Sequence, residues 1–195
     1  EAMNHPQMLT EIDVSQLADA FPTSMRTDAV EAGIVVHGLL NPRQWADQVS
    51  LLVGGEKILV PRRLRYNEAQ SGPSNGGRIE QMVACLQTQS CDGFDRQRAL
   101  QSLLPSVQPW SAPFVVALIG EYVVEIIEDI AAATSPSNVD SIISFISENS
   151  EYWKLTKQRV ASYWNAYYRH KYTKRNYPGF QLVKTLETGL RARAS

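Results

Sequence analysis

Apolar residues recur every three to four positions through most of the chain after residue 77, which is the spacing that an amphipathic helix produces. Proline, alone or beside serine or glycine, interrupts this pattern several times and marks the ends of separate helices. The pattern predicts helices near Arg78–Gln89, Phe94–Leu104, Pro113–Thr134, Val139–Glu148, Ser150–Tyr172 and Gln181–Arg193.

The first 40 residues carry a weaker pattern. Two short helical segments are predicted, around Glu11–Phe21 and Thr27–Ala32, and Gly33 is placed after the second of them. The apolar, β-branched run Ile34–Val36 then predicts a short strand.

A helix and a second strand are predicted next. The segment from Asn41 to Gly55 begins with Asn-Pro, a favourable helix start, and finishes with Gly-Gly, a favourable helix end. Its apolar residues at helical spacing are Trp45, Val49 and Leu52. A strand follows at Lys57–Leu64, where Pro61 restricts it to a sheet edge or a strand end. Together with the first strand, these elements suggest a small βαβ unit.

The segment Gln70–Gly77 is rich in Ser, Gly, Pro and Asn, and it is predicted to be a loop. The predicted fold is mainly α. A helical bundle covers residues 78–195, and a small N-terminal α/β segment with one or two short strands covers residues 1–69. The two parts are expected to form one compact domain overall.

The composition is that of a globular protein. The 195 residues are 44% apolar and 20% charged, and a chain of this length buries enough surface to fold without disulfides or metals. Cys85 and Cys91 have neither metal-ligand nor redox-motif spacing, and both are predicted to be reduced packing residues. With only three histidines besides, neither a metal site nor a cofactor is predicted.

The longest apolar stretch, Pro113–Ile127, is too short to cross a bilayer and is interrupted by Glu121 and Glu125. No membrane insertion is therefore expected. No secretory signal pattern is present at the start of the sequence, so a cytoplasmic location is predicted.

Charge is divided unevenly along the chain. Residues 1–150 hold 9 Lys and Arg against 18 Asp and Glu, a net charge of −9, whereas residues 151–195 hold 10 against 2, a net charge of +8. One interpretation is a basic surface for nucleic acid or an acidic protein, with candidate anion-binding residues Arg169, Lys171, Lys174 and Arg175. The other, which a compact bundle favours, is that basic and acidic helices pack together and neutralise each other.

The predicted helix Pro113–Thr134 is apolar around most of its circumference and is expected at the centre of the core. One narrow stripe on it is acidic, formed by Glu121, Glu125 and Glu128 with Asp129 beside it. Neighbouring carboxylates repel each other and are unfavourable when buried without partners. They are therefore expected to be exposed to solvent, to pair with arginines of the basic helix, or to serve a metal or acid–base site. Exposure and ion pairing are favoured, because no Glu is followed three residues later by the His of a di-iron bundle.

The segment Ser150–Tyr172 combines seven aromatic residues with interleaved cations, a composition found in proteins that bind single-stranded nucleic acid. A helical wheel nevertheless favours packing, because it places most large rings on one face. The residues predicted to face the core are Trp153, Val160, Trp164 and Tyr167. The residues predicted to face water are Lys154, Gln158, Ser162, Asn165 and Arg169.

A flank between those two faces carries Arg159, Tyr163 and His170, which supply a fixed cation, a hydroxyl group and a titratable ring. With Glu121 and Glu125 opposite, these residues form a candidate polar cluster between two helices. For His170 alone, a surface position near the end of a helix is favoured.

Three arginines lie at Arg62, Arg63 and Arg65, on alternating sides of the predicted strand. They suggest either contact with an anion or protection of a sheet edge against pairing, and the second interpretation is favoured.

No enzyme motif and no phosphate-binding loop occurs in the sequence. The leading hypothesis is a non-enzymatic helical binding or regulatory module that acts through contacts with a protein partner. Nucleic-acid binding through the basic, aromatic C-terminal region is one alternative, and an enzyme with an acidic, Arg, Tyr and His cleft is another. A homo-oligomer stays open, because a dimer interface would also bury the central apolar helix.

Overall fold

The computed structural model describes residues 9–45, 47–70 and 76–194. Helices dominate these residues and small antiparallel strand pairs lie in the N-terminal part, which confirms a mainly α fold with a small N-terminal α/β piece. The helices are α1 (Val14–Ala18), α2 (Arg26–His37), α3 (Arg78–Gln87), α4 (Gly93–Leu103), α5 (Ala112–Ile119), α6 (Val124–Ala132), α7 (Pro136–Glu148), α8 (Ser150–Tyr163) and α9 (Pro178–Ala194).

The strands form two separate antiparallel pairs. They are β1 (Leu9–Thr10), β2 (Gln44–Trp45), β3 (Gln48–Val53) and β4 (Glu56–Pro61). β1 pairs with β2, and β3 pairs with β4 in a hairpin. A single-turn 3-10 helix at Thr23–Met25 precedes α2.

The predicted βαβ unit is wrong. The run Ile34–Val36 belongs to the end of α2, and the predicted helix after Asn41 is replaced by β2 and β3. In the hairpin, Leu51 lies opposite Ile58, and both side chains are buried together with Val60. The apolar spacing of Trp45, Val49 and Leu52 is compatible with a helix, but these residues lie in strands. Packing between the paired strands determined this conformation.

The turn of the hairpin explains the second part of this error. Gly54 and Gly55 have φ angles of +59° and +78°, so both lie in the left-handed region that two-residue hairpin turns require. The Gly-Gly pair is therefore a hairpin turn and not a helix end.

Replacing Gly55 with alanine is expected to lower the free energy of unfolding by about 1–2 kcal/mol, because a side chain strains the left-handed backbone. No atom lies within 4 Å of a Cβ at this position, so the effect isolates the backbone. Gly55→Asn is the control, since Asn tolerates this conformation better. Urea denaturation of both variants is the measurement, and equal losses would argue against turn strain as the cause.

The hairpin β3–β4 is held to the helices at the junction of α7 and α8. The side chain of Asn149 accepts a hydrogen bond from the Leu52 N–H at 2.8 Å and donates one to the Leu52 carbonyl at 2.9 Å. On the other strand, the Leu59 N–H donates to the Asp19 carbonyl at 2.8 Å. The Asn149 bonds connect the hairpin to the C-terminal helices, and the bond to Asp19 connects it to the end of α1.

The predicted central helix is two helices, because residues 120–123 interrupt it between α5 and α6. Gly120, a poor helix former, ends α5, and Glu121 leaves the helical stripe on which it was predicted to lie. The central position of both helices is confirmed, since their apolar side chains are buried within the chain. No helix in the described ranges combines the length and the apolarity that crossing a membrane requires.

Helix α8 ends earlier than predicted and continues as a π-helical turn, Trp164–Tyr168. A π turn bonds each residue to the fifth one along, so it rotates later side chains away from their positions on a regular helical wheel. Trp153 and Val160, before the π turn, are buried as predicted. Tyr167, within it, is 56% exposed, so its predicted core position is wrong.

The two cysteines differ in their surroundings. Cys85 is buried in α3, as predicted, and burial raises the pKa of its thiol. Cys91 is exposed, so its prediction as a packing residue is wrong. It lies in the short turn between α3 and α4. Both thiols are free.

Helices α8 and α9 are joined through Glu187. Its carboxylate accepts hydrogen bonds from the Lys157 ammonium group and from the Trp153 indole N–H, both at 2.7 Å. These two bonds, the one from Lys157 foremost, lower the pKa of the Glu187 carboxyl group.

A lowered pKa in the folded state means that the Glu187 carboxylate stabilises the fold above its ordinary pKa of 4.5. This contribution is lost as the pH falls through the lower, folded value. We therefore expect Glu187→Gln to flatten the decline of stability below about pH 4.5, measured by urea denaturation across a pH series. A decline as steep as that of the unmodified chain would show that other groups govern acid unfolding.

Candidate anion-binding site

A cavity of about 270 Å³, here called the arginine pocket, lies where the hairpin β3–β4 meets α5 and α8. It is partly open to solvent, and its walls are apolar at the hairpin strands and at α5. The polar residues that line it and carry the following argument are Arg62, Arg63, Glu121, Tyr152, Arg159 and Tyr163.

Arg62 and Arg63 follow directly after β4, which ends at Pro61 and not at Leu64 as predicted. The Arg62 Nε atom lies 3.1 Å from a carboxylate oxygen of Asp47. The buried Nε forms this ion pair without the geometry of a hydrogen bond among the described residues. Arg62 therefore already has a carboxylate partner at the pocket.

Glu121 anchors the floor of the pocket and is 6% exposed. One of its oxygens accepts a hydrogen bond from Arg63 at 2.5 Å, and the other pairs with Arg96 of α4 at 3.4 Å. Arg96 is itself 1% exposed and also donates to the carbonyls of Ser90 and Cys91. The predicted arginine compensation of Glu121 is therefore present, but its arginines come from the N-terminal strands and α4 and not from the basic helix.

Arg159, on α8, lies across the end of α5. Its Cδ would be 3.3 Å from a Cβ at Gly120, so the absence of a side chain there lets the arginine approach the backbone closely. Within the described part of the chain, Arg159 forms no ion pair with a carboxylate. It is the one pocket arginine that lacks such a partner among those residues.

The pKa of the Tyr152 phenol is affected by several charged groups of the pocket. Burial is the largest influence and raises its pKa, and the negative charge of Glu121 raises it further. The guanidinium groups of Arg159, Arg62 and Arg63 lower it. Charges from the hairpin, from α8 and from the α5–α6 turn therefore converge on one side chain.

The predicted polar cluster is brought together only in part. Glu121, Arg159 and Tyr163 line the arginine pocket, whereas Glu125 and His170 do not. Glu125 lies in the first turn of α6, His170 lies in the turn after the π segment, and both are exposed.

A second feature, here called the tyrosine platform, borders the pocket and consists of Tyr122, Tyr163 and Tyr167. The ring centroids lie 6.1 Å apart for Tyr122 and Tyr163, 6.1 Å for Tyr163 and Tyr167, and 6.3 Å for Tyr122 and Tyr167. Tyr122 is 47% exposed and Tyr167 is 56% exposed. Because Tyr163 also lines the pocket, the two features form one continuous surface.

The candidate anion-binding residues Arg169, Lys171, Lys174 and Arg175 follow the platform in a segment here called the basic turn. All four are exposed, and none forms an ion pair with a carboxylate in the described ranges. Lys171 and Lys174 lie over aromatic rings, Tyr172 at 5.1 Å and Trp164 at 5.4 Å. The acidic side of α6 is nearby, since the Tyr172 hydroxyl donates to Glu128 at 3.4 Å.

No family model, no curated protein and no solved structure matches this chain. Over the described ranges, no group of three or more His, Cys, Asp and Glu side chains is arranged to hold a metal ion.

Sequence reasoning missed two contributors to this surface, Arg96 and Tyr122. Arg96 lies on a helix whose pattern gave no reason to single out one cation. Tyr122 belongs to the predicted continuous central helix, whereas in the structure it lies in the interruption after Gly120 and is exposed. In the sequence, Gly120 is the residue that could have indicated both the end of α5 and the close approach of another side chain.

Proposed function

We propose that the chain is a non-enzymatic binding module and that the arginine pocket takes an anionic group, a phosphate or a carboxylate, of its ligand. The observation that carries this proposal is Arg159, a half-buried arginine that lines the pocket and has no carboxylate partner in the described ranges. Guanidinium groups bind carboxylate and phosphate oxygens through paired, charge-assisted hydrogen bonds.

The charges around the pocket support an anionic occupant. Arg62, Arg63, Arg159 and Arg96 supply four positive charges, and the carboxylates of Asp47 and Glu121 supply two negative ones. An anion beside Arg159 would reduce this imbalance, because uncompensated charge is unfavourable where it is partly removed from water.

The dimensions of the pocket favour an anionic group over an entire large ligand. Drug-sized molecules occupy cavities of roughly 300–1,000 Å³, and about 270 Å³ lies just below that range. We infer that the anionic group enters the pocket while the rest of the ligand lies on the surface outside.

Binding is favoured over catalysis by the state of Glu121. Both of its oxygens are engaged by guanidinium groups, so it positions Arg63 and Arg96 and is poorly placed to accept a proton from a substrate. We also propose the cytoplasm as the location, in keeping with two free thiols.

Replacing Arg159 with alanine is expected to weaken the binding of inorganic phosphate or citrate about tenfold or more, because an ionic hydrogen bond contributes about 1.5–3 kcal/mol. Isothermal titration calorimetry at low salt is the measurement. Lys154→Ala is the matched control: it removes an exposed cation of α8 whose pairing is to Glu151 at 3.9 Å, and it should leave affinity unchanged.

Failure of both anions to bind the unmodified chain would overturn the proposed function. If Arg159→Ala and the unmodified chain bound these anions with equal affinity, the arginine pocket would not be the binding site. Citrate also stands in for the carboxylates of an acidic protein partner, so a strong preference for citrate over phosphate would direct the search toward proteins.

A further inference from the structure

We propose that the ligand of the arginine pocket is a single-stranded nucleic acid, with a backbone phosphate in the pocket and bases stacked on the tyrosine platform. This inference rests on the proposed function and names the class of molecule that carries the anionic group. It is drawn from the continuity of a cationic pocket with exposed, clustered aromatic rings.

The spacing along the chain aligns the parts of this surface. Arg159 and Tyr163 are four residues apart in α8 and so lie on the same side of it. Tyr167 lies in the π turn, and its ring centroid is 6.1 Å from that of Tyr163. Arg159 lines the pocket, and Tyr163 is shared by pocket and platform. A strand whose phosphate is held at Arg159 therefore has aromatic rings within reach of its next bases.

The exposure of the rings provides the reason for stacking. Tyr122 and Tyr167 each leave about half of their surface in water, although buried aromatic clusters were available nearby in the fold. Every base has a flat π-face, so stacking on tyrosine tolerates any sequence. A double helix keeps its bases stacked on each other, so it cannot use the platform in this way.

Charge continues beyond the platform. Arg169 and Lys171 lie two and four residues after Tyr167, both exposed, and provide cations for further phosphates. Glu125 and Glu128 of α6 are exposed carboxylates, and Glu128 accepts a hydrogen bond from the Tyr172 hydroxyl at 3.4 Å. Because carboxylates repel phosphates, the strand is expected to run from the pocket over the platform toward Arg169 and not along α6.

The carboxylates of an acidic peptide could bind in the arginine pocket, but they could not stack on the rings of the tyrosine platform. The rings therefore favour nucleic acid over protein. The peptide is retained as an arm of the test.

The test is fluorescence anisotropy with a labelled, mixed-sequence single strand of about 12 nucleotides, its duplex, and an oligoglutamate peptide, between about 50 mM and 200 mM salt. The single strand is expected to bind more tightly than the duplex and the peptide, with affinity falling steeply as salt rises. Tyr167→Ala should weaken strand binding roughly 5- to 150-fold, the range measured for loss of one stacked base. Tyr167→Phe, which keeps the ring, should bind like the unmodified chain.

Inorganic phosphate separates this inference from the proposed function. Tyr167→Ala should bind phosphate normally, whereas Arg159→Ala should lose affinity for both phosphate and strand. Normal phosphate binding with equal affinity for single strand, duplex and peptide would overturn the nucleic-acid inference and leave the pocket intact. Unchanged strand affinity in Tyr167→Ala would also overturn it, and absence of phosphate and strand binding alike would overturn both proposals.

Discussion

Replacing Arg96 with leucine is expected to lower the free energy of unfolding by about 3–5 kcal/mol, the loss typical when one partner of a buried ion pair is removed. Arg96 is 1% exposed, and Glu121, which it pairs with, is 6% exposed. The variant leaves the carboxylate with Arg63 alone and deprives the Ser90 and Cys91 carbonyls of their donor. Urea denaturation monitored by circular dichroism is the measurement.

Two controls define the origin of this loss. Arg78→Ala removes an arginine that is 60% exposed and paired with Asp28 on the surface, and it should change stability by less than about 1 kcal/mol. The double variant Arg96→Leu with Glu121→Leu removes both charges, and it should be less destabilised than the two single losses added together. A loss below about 1 kcal/mol for Arg96→Leu, or strict additivity in the double variant, would contradict a role for the buried pair.

The predicted start of α4 agrees with the structure to within one residue, because its end carries a local signal. α4 begins after Asp92, whose side chain accepts hydrogen bonds from the N–H groups of Phe94 and Asp95. Caps of this kind act within one turn, so the sequence alone contains the information that sets them.

The errors fall where distant contacts decide the conformation. The segment from Asn41 to Gly55 has an Asn-Pro start and apolar spacing that a helix and a strand can share. This segment forms a strand because it pairs with β4 and is hydrogen-bonded to Asn149, nearly 100 residues away. A Gly-Gly pair flanked by two apolar runs was the local signal for the hairpin.

The candidate site was predictable on one helix and not between helices. The wheel of α8 correctly grouped Arg159 with Tyr163, because both precede the π turn. It failed for Tyr167, which lies in the π turn, because such a turn changes the angular position of its side chains. His170 is exposed near the end of this segment, in agreement with the interpretation favoured for it alone. The charge of Glu121 identifies it in the sequence as a candidate residue. Its arginine partners come from the end of β4 and from α4, and the sequence pattern does not show that these elements are in contact.

Replacing Asn149 with leucine is expected to lower the free energy of unfolding by about 3 kcal/mol, at roughly 1 kcal/mol for each of the three hydrogen bonds that its side chain makes. Two of these bonds reach the backbone of Leu52, and the third reaches the Phe145 carbonyl. Asn176→Leu is the matched control, since Asn176 is exposed and, within the described ranges, only its backbone N–H is hydrogen-bonded, to the Thr173 carbonyl. Urea denaturation measures the effect.

Asn149→Leu is also expected to reduce phosphate binding, although Asn149 does not line the arginine pocket. The hairpin carries Arg62 and Arg63 at its end, and α8 carries Arg159, so the distance between these cations depends on how firmly the hairpin is docked. Calorimetry at a temperature where the variant is folded should show weaker binding than in Asn176→Leu. Normal phosphate affinity in a destabilised Asn149→Leu would mean that Glu121, through Arg63, is sufficient to keep the hairpin arginines in place.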